Sequence, residues 1–76
     1  MKELVKMIVS NLVTKPEEVE INQTETDTDI IFEIKVSSDD IGRVIGKKGR
    51  IINAIRIVVK SAGLNSGKNV MVEIMN

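Results

Sequence analysis

The chain has 76 residues, 42% hydrophobic and 29% charged, with a formal net charge of zero. That describes one small domain near the lower limit of a self-sufficient core, with a globular and not a disordered chain as the expectation. The absence of cysteine and histidine excludes disulfides, thiolate chemistry and His/Cys metal clusters. No apolar run approaches the roughly 18–20 residues of a membrane helix, and Lys2, Glu3 and Lys6 interrupt any signal-peptide core.

In chain order, Met1, Leu4, Val5, Ile8, Val9 and Leu12 fall on one arc, which predicts a helix over residues 1–13. Pro16 lacks an N–H and disfavours helix at Lys15, so residues 11–16 break it. The period then changes to two. Val19 and Ile21 alternate with Glu18, Glu20 and Asn22, and Ile30, Phe32, Ile34 and Val36 alternate with Glu33 and Lys35. These are two strands of a hairpin around a polar turn at 24–29, with Ile31 out of phase.

Ser37-Ser38-Asp39-Asp40 is a run of N-cap residues. It leaves room for a short helix from about Asp39 to Val44 or Ile45. Ile51, Ile52, Ile55, Val58, Val59 and Ala62 then form a helical stripe, which predicts a helix from Arg50 to Ala62 stopped at Gly63. Residues 65–68 form a loop, and Val70, Val72 and Ile74 alternate in a third strand. The expected architecture is α+β in the order α-β-β-α-α-β: one domain over 1–76, three helices on one face of a three-stranded sheet.

The zero net charge hides a division. Residues 1–40 carry ten acids and four bases, whereas residues 41–76 carry seven bases and one acid. Such a split predicts one basic and one acidic surface, and hence local, oriented contact with a polyanion.

The basic half is centred on Ile41-Gly42-Arg43-Val44-Ile45-Gly46-Lys47-Lys48-Gly49-Arg50-Ile51-Ile52. Gly46 and Gly49 bracket two lysines, so backbone or ligand can approach closely where positive charge is concentrated. The turn also opens a helix, whose first N–H groups lack intrahelical partners and favour anions. The expected ligand is a sugar-phosphate backbone.

The segment Val44-Ile45-Gly46-Lys47-Lys48-Gly49-Arg50-Ile51-Ile52 resembles the Gly-x-x-Gly signature of the KH domain. The helix and strand before the β-α-α-β core resemble the type II arrangement, and the whole length resembles the stand-alone single-KH RNA-binding proteins of bacteria, the KhpA-like family. The resemblance implies that Gly46, Lys47, Lys48 and Gly49 clamp the backbone of about four nucleotides. It implies that Arg43 and Arg50 add phosphate affinity, and that Ile45, Ile52 and Val36 line an aliphatic groove under the bases. With Phe32 as the one aromatic residue, phased with the buried set, base stacking on aromatic side chains is not expected.

Ile57 stands among Asn53, Arg56, Lys60 and Ser61 on the outer arc of the long helix, an exposed aliphatic residue that marks a contact with a second subunit. The resemblance implies a homodimer or a heterodimer with another KH-containing protein. The expected partner is single-stranded RNA in the cytoplasm, with no catalytic residue, cofactor, metal, small-molecule substrate or membrane. Two other readings remain open at this level. A helix-turn-helix would bind duplex DNA, and a protein adaptor would keep the fold without needing lysines at 47 and 48.

Overall fold

The computed structural model describes residues 1–75. Its elements run α1 (Lys2–Ser10), β1 (Glu20–Glu25), β2 (Asp29–Lys35), α2 (Ile41–Ile45), α3 (Arg50–Ala62) and β3 (Asn69–Met75). The expected α-β-β-α-α-β order holds. The sheet order is β1-β2-β3, antiparallel between β1 and β2 and parallel between β2 and β3. A parallel neighbour requires a crossover, and α2 and α3 supply it.

The helices cover one face of the sheet. Ile30, Phe32 and Ile34 alternate inward on β2, beside Ile21 of β1 and Val70 and Val72 of β3. They meet Val5 and Val9 of α1, Val44 of α2, and Ile52, Ile55 and Val59 of α3 in one core. The register explains why Ile31 broke the alternation: it lies on the other face, half-buried between Thr24 and the exposed Met71.

Several boundaries move, each for a local reason. Helix α1 ends at Ser10, where the Asn11 side chain donates to the carbonyl of Met7 at 2.8 Å. Leu12 and Val13 still pack on the core from the connecting segment. The hairpin turn shrinks to Thr26–Thr28, because the Thr26 hydroxyl accepts from the Asp29 N–H at 2.9 Å and the Thr26 N–H donates to the Asp29 carbonyl at 2.8 Å.

The short helix begins later than expected, after a 3₁₀ turn over Ser38–Asp40 that Ser37 caps from below. Gly63 does end α3, but at φ −95° its backbone is not left-handed. Its missing Cβ is needed for room, since one would lie 2.8 Å from Cγ2 of Val70.

Candidate nucleic-acid interface

The loop between α2 and α3 is shaped by three departures from ordinary backbone within four residues. Gly46 has φ 76° and ψ 175°, a region essentially restricted to glycine. Lys48 (φ 56°) and Gly49 (φ 73°) are left-handed, and Lys48 is the single non-glycine residue with positive φ among the described residues. Short-range hydrogen bonds close the loop: Gly46 N–H to Gly42 O at 2.9 Å, Gly49 N–H to Gly46 O at 3.1 Å, and Arg50 N–H to Lys47 O.

The two glycines differ in kind. A Cβ on Gly46 would lie 2.6 Å from Cγ1 of Ile51, so the close neighbour at Gly46 is the chain's own side chain. A Cβ on Gly49 would meet nothing nearer than 3.9 Å. Gly49 is therefore the more open of the two to an approaching ligand, at the N-terminus of α3, which no side chain caps.

Lys47, Lys48 and Arg50 are exposed. Among the described residues no carboxylate comes within 4.0 Å of their charged groups. Their charge is thus directed at solvent and at whatever docks there. Arg43 is exposed too, but its Nε lies 3.5 Å from Asp40 Oδ1. Ile45 is 36% exposed beside the loop, whereas Ile52 and Val36 are 5% and 7% exposed and belong to the core. The structure thus brings Arg43, Ile45 and the loop together at the surface, and leaves Ile52 supporting them from beneath.

Asp40 does not cap α2. Its carboxylate is fully buried and accepts from Thr14 N–H (3.0 Å), Thr14 Oγ1 (2.8 Å) and Lys15 N–H (3.1 Å), tying the segment after α1 to the start of α2. The Thr14 backbone hydrogen bond, aided by the Thr14 hydroxyl, Lys15 N–H and Arg43, holds its carboxyl below the ordinary value, although burial pushes the other way. Lys15 is in turn raised by its hydrogen bond and ion pair with Asp39 at 2.9 Å. Nothing in the local sequence separated Asp40 from its three capping neighbours; its partners lie about 25 residues upstream.

Two further features depart from the helical stripe read from sequence. Arg56 is half-buried and folds back onto the sheet edge, with Nε donating to the Val72 carbonyl at 3.3 Å and a guanidinium NH donating to Asn53 Oδ1 at 3.0 Å. It leaves the outer arc on which Ile57, 66% exposed, remains. Val58 is 46% exposed rather than buried, and Ala62 is exposed. Val58 lines an open apolar groove of about 560 Å³ between α1 and α3, with Leu4, Ile8, Leu12, Arg50, Ile51, Ala54 and Ile55.

Among the described residues there is no group of acidic side chains able to hold a metal ion, and no helix is long and apolar enough to cross a membrane.

A family model for the KH domain of KhpA/KhpB matches residues 2–74. The chain is 53% identical over 75 residues to the RNA-binding protein KhpA of Clostridium perfringens, covering 99% of this chain and 100% of that protein. It is 51% identical to the KhpA of Caldanaerobacter subterraneus, with the same coverage. Among solved structures it is similar to Era, crystallised with MgGDPNP and nucleotides 1506–1542 of 16S ribosomal RNA: TM-score 0.68, 21% identity, 97% of this chain and 30% of Era. The chain thus spans about a third of Era's length, and that likeness speaks to fold alone. The match to the family's KH domain runs through every element from α1 to β3, and the chain belongs to the KhpA/KhpB KH-domain family.

Proposed function

We propose that this chain is an RNA-binding protein that holds single-stranded RNA at the loop between α2 and α3. The observation that carries the reading is the Gly46-Lys47-Lys48-Gly49 loop, with exposed lysines that have no carboxylate partner among the described residues, at the uncapped start of α3. Lys47, Lys48, Arg43 and Arg50 supply phosphate affinity, the Gly49 backbone gives close approach, and Ile45 offers an aliphatic surface to a base. Ile52 acts from the core as support for that surface. The names of the relatives, RNA-binding proteins over their full length, support the same conclusion.

The protein acts by binding and not by catalysis, in the cytoplasm, without cofactor or metal. A helix-turn-helix is disfavoured by a five-residue α2 and by Arg56, whose guanidinium is engaged on Val72 and Asn53 instead of projecting from a recognition face. The exposed aliphatics Ile57 and Val58, continuous with the α1–α3 groove, support pairing with a second copy or with another KH-containing chain.

Fluorescence anisotropy with single-stranded RNA and duplex DNA probes tests the reading. The wild type binds the single strand, and Lys47→Asp/Lys48→Asp loses that binding while its circular dichroism is unchanged. Preference for the duplex would favour the helix-turn-helix. Equal binding by the folded double mutant would leave the protein adaptor as the better account.

A further inference from the structure

A buried carboxylate is costly unless hydrogen bonds and a cation compensate its charge. The Asp40 side chain is fully buried, and the cation within 4.0 Å of it among the described residues is Arg43, one turn along α2. An aspartate ahead of a helix ordinarily turns back to cap it, yet Asp40 makes no such cap. Its oxygens are fixed instead by Thr14 N–H, Thr14 Oγ1 and Lys15 N–H, from the connection between α1 and β1. The contact with Arg43 is made by Nε, 3.5 Å from Asp40 Oδ1, while 59% of the arginine side chain stays exposed. Nε is the guanidinium nitrogen nearest the backbone, so an ion pair made through it keeps the two terminal NH2 groups available to a phosphate.

We propose that Asp40 is a positioning residue for RNA binding: it anchors Arg43 beside the loop with its terminal NH2 groups presented to a phosphate of the strand. The proposal rests on the reading of the loop as the RNA site. Arg43 lies three residues before Gly46, whose N–H donates to the Gly42 carbonyl at 2.9 Å, so the turn that carries Arg43 is the one that enters the loop. An unanchored arginine loses rotamer freedom when it binds, and one already held at Nε has less to lose. The carboxylate also repels a phosphate, but across the intervening guanidinium and into solvent, so anchoring is the larger effect.

The test is fluorescence anisotropy of the full chain with a labelled single-stranded RNA, run as a double-substitution cycle on residues 40 and 43. Asp40→Asn, checked for folding by circular dichroism, binds about fivefold more weakly than wild type. Arg43→Ala also weakens binding, and adding Asp40→Asn to it weakens binding no further. Thr14→Val removes one hydrogen bond to the same carboxylate and leaves the ion pair with Arg43 in place. It melts earlier yet binds RNA as wild type does, which separates positioning from loss of stability. Arg43→Lys keeps the charge but has no guanidinium to anchor. It binds about as weakly as Asp40→Asn, and it gives an answer even where Asp40→Asn fails to fold.

Wild-type or tighter binding by folded Asp40→Asn would overturn the positioning role, as would an equal loss with and without Arg43. Arg43→Lys binding as tightly as wild type would overturn it too. If Arg43→Ala binds as wild type while Lys47→Asp/Lys48→Asp does not bind, the loop reading stands and this proposal falls. A wild type that binds no single-stranded RNA would overturn both.

Discussion

At the scale of single residues, the two loop glycines do different work, and substitution separates them. Gly46→Ala must leave a glycine-only backbone region and displace Ile51, at a cost of about 2–4 kcal/mol. Gly49→Ala has room for its methyl and faces only the left-handed penalty of about 1–2 kcal/mol. Denaturant midpoints at constant slope measure both, and Gly46→Ala is the more damaging.

Asp40 is the other residue whose role is positional. Its folded-state pKa lies below the unfolded value of about 3.9, so the stability it contributes is fully present above that value and is lost as pH falls through the folded pKa. Asp40→Asn therefore melts below wild type at neutral pH, and the gap between the two melting temperatures narrows as pH falls below about 4. The sequence marked the loop glycines and lysines as the candidate site, since their composition is unusual over a short span. It did not mark Asp40, because a buried carboxylate is defined by partners distant in the chain.

At the scale of elements, periodicity was a good guide wherever a helix or strand has one covered side. Strands β2 and β3 and helix α3 form where the alternations and the stripe place them, whereas a 3₁₀ turn at Pro16–Glu18 leaves Val19 outside the first strand, which runs from Glu20 to Glu25 into the expected turn. The stripe misassigned Val58 and Arg56 because a helical wheel gives angles and not neighbours. Val58 lies on the open groove that α1 and α3 leave between them, while edge strand β3 offers its Val72 carbonyl to Arg56.

The resulting exposed pair, Ile57 and Val58, has a direct test. Ile57→Asp/Val58→Asp abolishes self-association in sedimentation equilibrium and changes the unfolding free energy by no more than about 0.5–1 kcal/mol, because both side chains are already substantially exposed. A fully dimeric double mutant would move the contact elsewhere.

At the scale of the molecule, the charge division takes on a physical arrangement. The acids of the first half include Glu20 and Glu33 on the sheet face that the helices leave open, joined there by Glu73, whereas Lys47, Lys48 and Arg50 gather at the start of α3. The hairpin was legible from its two alternating runs. The parallel pairing of β2 with β3 was not, because local patterning says nothing about the direction in which distant strands meet. The likeness of the whole element order to a KH domain was legible all the same, because Gly-x-x-Gly sits at one fixed joint in that order.

In the proposed function, Lys47 and Lys48 hold the phosphates of a single strand together with Arg43 and Arg50. The most direct measurement is RNA affinity against salt concentration. Four phosphate contacts to a single strand give a log–log slope of about −2.8, and Lys47→Ala/Lys48→Ala reduces it to about −1.4. A slope unchanged by the double substitution, at whatever affinity, would place the phosphates elsewhere on the protein and contradict the account.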